Sequence, residues 1–131
     1  MENKNVIQLR KSDQFNLSLA DIDSTGEVVE REQIGFAYLK PTSRMFRLKL
    51  WMFSNEQYFL ARHDSDPSKY VILSLDEYQH PSGEIKTRWN QVGTGEVYRS
   101  FIRLRFYLFH EDLYLCLFTN NPESRGFDVA A

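Results

Sequence analysis

Two eight-residue segments, called the octets below, alternate apolar side chains with basic or aromatic ones. FRLKLWMF occupies residues 46–53 and IRLRFYLF occupies residues 102–109. Successive side chains of a β-strand point to opposite faces, so each octet is predicted to be a strand with one wholly apolar face. A helix would instead spread the cations around its whole circumference. The predicted core-facing residues are Phe46, Leu48, Leu50 and Met52 in the first octet and Ile102, Leu104, Phe106 and Leu108 in the second.

The octets belong to a longer internal repeat. Short motifs around them recur in the same order, at an offset that drifts between 56 and 58 residues. We interpret this as a duplication with a unit of about 55 residues, with halves at about residues 5–62 and 63–118. Chance alternation of strand-forming residues is the competing explanation. The matched motifs are Leu17-Ser18-Leu19 with Leu73-Ser74-Leu75, Gly26-Glu27-Val28 with Gly83-Glu84-Ile85, Gln33-Ile34-Gly35 with Gln91-Val92-Gly93, and Tyr58 with Tyr114.

The rest of the chain has the pattern of short strands separated by turns. Turn-forming clusters such as Ser24-Thr25-Gly26 and His80-Pro81-Ser82-Gly83 divide the β-prone runs. Closely spaced hairpins predict an all-β, antiparallel meander of about eight strands, closed or partly closed into a barrel, with a two-sheet sandwich as the alternative. We expect a single domain at residues 1–118 and a flexible C-terminal tail at 119–131. Besides the octets, strands are predicted at about residues 5–10, 15–19, 27–40, 57–62, 70–75, 84–92 and 113–118.

Length, charge and cysteine content exclude several classes of protein. A chain of 131 residues, 42% of them hydrophobic, is long enough to bury a core without disulfides or metals. The formal net charge of −2 gives no overall field that would attract nucleic acid or an anionic membrane. Cys116 is the only cysteine, which suits a reducing compartment. No segment has the pattern of a signal peptide or a membrane span, so we predict a cytoplasmic protein with no membrane partner.

The outward faces of the octets carry the candidate binding residues. Cations beside aromatic rings suit a single-stranded nucleic acid, because phosphates pair with cations and bases stack on rings. Such cations are also common on the solvent side of sheets, where nearby acids can neutralise them. Large exposed aromatic side chains favour a covering protein surface. The candidate residues are Arg47, Lys49, Trp51, Arg103, Arg105 and Tyr107, together with Lys86 and Arg88 on the strand before the second octet.

No motif predicts catalysis, a metal or a cofactor. The acidic turns at His63 and His110 lack the spacing of a zinc or calcium site. Gly93 and Gly95 lack the context of a phosphate-binding loop, and are predicted, like Gly35, to permit a bulge or bend. The sequence therefore predicts a non-catalytic binding or assembly module.

The expected partner of this module is another protein chain, including a second copy. It is expected to bind the face that carries Trp51 and Tyr107. Single-stranded nucleic acid on the basic-aromatic sheet face is the alternative.

Overall fold

The part of the chain that the structure describes folds as a closed antiparallel β-barrel of eight strands. The computed structural model describes residues 13–40 and 42–119. The strands are β1 Asp13–Ile22, β2 Val28–Leu39, β3 Met45–Leu50, β4 Tyr58–Arg62, β5 Lys69–Gln79, β6 Ile85–Tyr98, β7 Phe101–Phe106 and β8 Leu113–Thr119. Each strand pairs with its sequence neighbours, and β1 closes the barrel by pairing with β8. The predicted all-β meander and its closure into a barrel are confirmed.

Two predicted segments fall largely outside the described part of the chain. The strand predicted at residues 5–10 lies entirely outside it. The predicted tail at 119–131 also lies outside it, apart from Thr119, which ends β8.

Alternation along the strands fills the interior of the barrel. Leu48 and Leu50 on β3, and Leu104 and Phe106 on β7, are buried, whereas the cations between them point outward. Burying one such side chain fully stabilises the fold by about 1.5–3 kcal/mol, so these positions fix which face of each strand is inside. The core cluster contains Phe15, Leu17, Ala37, Phe46, Leu48, Leu50, Leu60, Tyr70, Ile72, Ile102, Leu104, Phe106, Leu113 and Leu115.

Glycines allow two pairs of strands to approach closely. A Cβ atom on Gly35 would overlap the carbonyl oxygen of Lys49, and one on Gly93 would overlap that of Arg105. The β1–β2 and β5–β6 ladders each shift by one residue directly before these glycines. Each β-bulge bends its strand, which helps the sheet to curve into a barrel.

The β1–β2 and β5–β6 hairpins continue beyond the barrel as two arms. Their turns contain Gly26 and Gly83, whose φ angles of 87° and 95° glycine adopts without strain. The first arm bends back onto the turn between β6 and β7. There the Tyr98 hydroxyl donates a 2.6 Å hydrogen bond to the carbonyl of Gly26, and Arg99 pairs with Glu27 at 2.7 Å.

Both octets leave the strand conformation three residues earlier than predicted. After Leu50 the chain forms a short 3-10 helix at Trp51–Phe53, and after Phe106 it enters a turn. The prediction that Met52 and Leu108 face the core is wrong, since they are 87% and 89% exposed. Side-chain alternation holds only while the backbone stays extended, and here the extension stops.

The two halves have the same strand order and closely matching ladders. Gly35 pairs with Leu50 on β3, and Gly93 pairs with Phe106 on β7. The octet match equates Leu50 with Phe106, and the Gln-x-Gly match equates Gly35 with Gly93. The two ladder pairs therefore correspond as the sequence repeat predicts. A duplication accounts for this agreement and stays a prediction.

Two of the sequence matches differ by one residue from the correspondence that the ladders show. Leu17 pairs with Gly35 in the first half, and the residue that pairs with Gly93 in the second half is Ile72, not Leu73. Tyr58 likewise stands opposite Leu48 and packs against the core, whereas Tyr114 is buried on the outer side of β8, beside the inward-facing Leu113. A shift of one residue reverses the face of a strand residue, so these matches of residue type were misleading.

Candidate functional site

The loops that follow the octet strands meet at one end of the barrel. We call the surface formed by Trp51–Phe53 and Tyr107–Phe109 the barrel-end surface. The rings of Phe53 and Phe109 stack with their centroids 5.9 Å apart and their planes 20° apart. Phe109 also contacts Phe106 of the core, at 5.0 Å between centroids. This stacking joins the two loops into one surface above the core.

An apolar cleft lies between the two loops. The cleft wall is almost entirely hydrocarbon, and Met52 and Leu108 stand at its mouth with nearly all of their side-chain surface in water. At the rim, Glu111 is paired with Arg31 at 2.7 Å, so its charge is partly neutralised. The residues that line the cleft are Leu19, Ile34, Leu50, Met52, Phe53, Leu108, Phe109, His110, Glu111 and Leu113.

Trp51 and Tyr107 occupy corresponding places, each directly after an octet strand. Trp51 is 50% exposed and packs edge-on against Phe36 at 5.6 Å. Tyr107 is 60% exposed, and its hydroxyl accepts a 2.9 Å hydrogen bond from the amide of Gln91. Both rings extend the barrel-end surface towards the sides of the barrel.

The cations of the two octets do not form one continuous face. The strands β3 and β7 are separated by three strands in either direction around the closed barrel. Arg47 and Lys49 therefore point away from one side of the barrel, and Arg103 and Arg105 point away from the other. We call these sides the outer β3 face and the outer β7 face.

Acids neutralise the outer β7 face. Arg103 pairs with Glu96 on β6 at 2.7 Å, and Arg105 makes two hydrogen bonds to Asp112, at 3.0 and 3.1 Å. The hydrogen bond from Arg103 lowers the pKa of Glu96 below its ordinary value of 4.5. Hydrogen bonding to Asp112 likewise raises the pKa of Arg105. Cations held in this way are poorly available to an incoming phosphate.

The outer β3 face carries cations beside aromatic rings. Arg47 lies between Tyr38 on β2 and Phe59 on β4 in the ladder, and Lys49 lies opposite Phe36. Neither cation forms an ion pair with any residue in the described ranges. The cations and rings line an open groove together with Lys40 and Glu56.

Lys86 and Arg88 belong to neither octet face. They lie on the β5–β6 arm, where Lys86 approaches Glu84 at 3.8 Å and Arg88 pairs with Asp76 at 2.9 Å. Arg88 also lies over the ring of Tyr78, at 4.8 Å from its centroid. The predicted extension of the second octet's cationic face is therefore an internally paired part of an arm.

Sequence reasoning missed some of the residues that complete these surfaces. Alternation predicts Met52 and Leu108 in the core, because it gives no signal for the end of a strand. Tyr38 and Phe59 lie on other strands, and only the β2–β3–β4 register brings them beside Arg47. Alternation about the buried Ala37 and Leu60 is the signal that turns both rings outward.

The described ranges hold no group of three or more His, Cys, Asp or Glu side chains arranged to bind a metal. In the same part of the chain, no helix has the length and apolar content needed to cross a membrane. Comparison of the chain with protein-family models, curated proteins and solved structures found no match.

Proposed function

We propose that the protein is a non-catalytic assembly module that binds another protein chain, a second copy of itself, through the barrel-end surface. The observation that supports this proposal most directly is that Met52 and Leu108 are exposed at the mouth of one apolar cleft. Exposed apolar side chains that adjoin each other favour burial by about 25 cal/mol per Å². Contiguous apolar surface of this kind is typical of sites that bind another protein.

The composition of the surface favours a second copy as the occupant. The loops present similar side chains at corresponding places: Met52 and Leu108 are exposed, and Phe53 stacks on Phe109. The commonest oligomers are twofold dimers, in which one patch must complement itself. A cleft flanked by two protruding apolar side chains meets that requirement, because each copy inserts a side chain where the other has space.

Charge does not oppose this arrangement. Within residues 13–40 and 42–119, the cleft lining holds one carboxylate, that of Glu111, and its partner Arg31 offsets it. Two copies brought together at this end therefore avoid the like-charge repulsion that excludes wrong partners.

An assembly module needs no catalytic group, and we assign none. A cytoplasmic location suits the single thiol, Cys116, because cytoplasmic thiols stay reduced.

Light scattering coupled to gel filtration tests the proposal through charged substitutions on the surface. The test variant is Met52→Asp with Leu108→Asp, in which both side chains are so exposed that the fold is preserved. The control is Phe118→Asp, which places one such carboxylate at an exposed aromatic residue near the opposite end of β8. Circular dichroism of all variants verifies folding.

The wild-type chain and the Phe118→Asp control are expected to show the mass of a dimer, about twice 15.5 kDa. The double variant is expected to be monomeric at the same concentration. A monomeric wild type would show that a second copy is not the occupant. An unchanged dimer in the double variant would place the interface elsewhere.

A further inference from the structure

We infer that the outer β3 face is a binding site for single-stranded nucleic acid, and that the outer β7 face is not. This site lies on the side of the barrel and goes beyond the proposed assembly function, which uses the barrel end. The two faces share the same ladder pattern but differ in the acidic residues beside their cations.

The first difference is at the residue that pairs with the leading arginine of each octet. Arg103 on β7 pairs in the ladder with Glu96, and this carboxylate holds its guanidinium at 2.7 Å. Arg47 on β3 pairs in the ladder with Tyr38. The first half therefore has an aromatic ring where the second half has the neutralising acid.

The second difference is at the other cation of each octet. Arg105 is held by Asp112, the residue that precedes β8. The residue that precedes β4 is Gln57, an uncharged amide, and Lys49 has no acidic partner in residues 13–40 or 42–119. Both ion pairs of the outer β7 face are thus absent from the described outer β3 face.

The balance of charge in the two grooves follows from these differences. Among the described residues, the groove on the outer β3 face is lined by Lys40, Arg47 and Lys49, against one carboxylate, that of Glu56. Phosphate oxygens can replace water around these cations without first breaking an ion pair.

The groove on the outer β7 face, by contrast, has a smaller excess of positive charge. Lys69, Arg103 and Arg105 line it together with Asp66 and Glu96. Glu96 alone contacts two of these cations, at 3.4 Å to Lys69 and 2.7 Å to Arg103. Any phosphate must compete there with carboxylates already in place.

Aromatic rings beside the cations select the class of anion. Tyr38 and Phe59 flank Arg47 on either side, and Phe36 stands opposite Lys49. Two tryptophans border these rings, with Trp89 edge-on to Phe59 at 5.2 Å and Trp51 edge-on to Phe36 at 5.6 Å. Columns of rings beside a column of cations suit a strand of unpaired nucleotides, whose bases stack while the backbone phosphates meet the cations.

Fluorescence anisotropy with labelled oligothymidine and oligouridine tests this inference between about 50 and 200 mM salt. The test variant is Arg47→Gln with Lys49→Gln. The matched control is Arg103→Gln with Arg105→Gln, which removes the same charge from corresponding strand positions. A third variant, Phe59→Leu, removes one ring and leaves the charge unchanged.

The wild-type chain is expected to bind the single strands with an affinity that falls with salt. The test variant should lower the slope of log K against log salt by about 1.4, because two phosphate contacts are lost. The control should keep the wild-type slope. Phe59→Leu should weaken binding by about 5- to 150-fold, as expected for one lost stacked base.

Several results would overturn the inference. These are absence of binding at the lowest salt, equal losses in the two double variants, and equal affinity for a duplex of the same length. Equal losses would show attraction by net charge alone. Equal duplex binding would show that base stacking has no part. None of these variants alters Met52 or Leu108, so a failure of nucleic-acid binding leaves the assembly proposal standing. Likewise, a monomeric wild type leaves the nucleic-acid site standing.

Discussion

At the scale of the residue, the second octet contains two leucines with opposite environments. Leu104 is fully buried in the barrel, whereas Leu108, four residues later, is 89% exposed. Both lie on what the sequence pattern presents as one apolar face. The difference arises because β7 ends at Phe106 and Leu108 lies in the turn that follows.

This contrast makes a prediction about stability. Leu104→Ala is expected to lower the free energy of unfolding by about 2–5 kcal/mol, because it leaves a cavity in the core. Leu108→Ala is expected to change the unfolding free energy by no more than about 0.5 kcal/mol in dilute, monomeric protein, as an exposed position does. Denaturant titration measures both. Similar losses for the two variants would show that Leu108 is packed in the fold.

At the scale of the element, the sequence predicted the strands well and their ends poorly. Apolar alternation identified β3 and β7 and the buried side of each. It continued through Trp51–Phe53, where no glycine or proline marks the end of the strand, so the 3-10 helix was unforeseen. Register was also inaccessible, because Leu17 has the type of Leu73 but the ladder position of Ile72.

The candidate site was predictable to a similar extent. The cations of the octets, together with Trp51 and Tyr107, were found from their alternation along the octets. Their separation onto opposite sides of the barrel depends on how the barrel closes, which local patterning does not determine. The neutralising role of Glu96 and Asp112 depends on cross-strand neighbours, which the register alone reveals.

The close approach of β2 to β3 provides a test at this scale. Gly35→Ala is expected to destabilise the barrel by about 1–3 kcal/mol, because the new methyl group meets the backbone of Lys49 and the strands must shift. Thermal unfolding followed by circular dichroism measures the loss.

The appropriate control for that substitution is Gly83→Ala. A Cβ atom there has no neighbour within 4 Å, so the only cost is the strain of its φ of 95°. That strain amounts to about 1–2 kcal/mol and is confined to the turn. Amide chemical shifts should therefore change along β2 and β3 in Gly35→Ala but only near the turn in Gly83→Ala. Unperturbed β3 amides in Gly35→Ala would contradict the close approach.

At the scale of the whole molecule, the barrel separates two surfaces of different character. The barrel-end surface is apolar and built from both octet loops, and the outer β3 face is cationic and aromatic. Met52 and Leu108, the side chains that carry the proposed assembly, are not among the residues that line the groove of the outer β3 face. Assembly through one surface is therefore compatible with ligand binding on the other.

Distances between spin labels on two copies test the assembly most directly. In a Cys116→Ser background, one label is placed at Asn55, an exposed residue in the loop between β3 and β4. The other is placed at Ser100, an exposed residue in the turn at the opposite end of the barrel. The six residues of β7 separate the two ends by about 20 Å along the strand.

If the barrel ends face each other, pulsed electron resonance should give a shorter intermolecular distance for the Asn55 labels than for the Ser100 labels. The difference should approach twice the separation of the barrel ends, about 40 Å, less the effect of strand tilt. A shorter distance for the Ser100 labels, or no intermolecular signal at either position, would contradict assembly through the barrel-end surface.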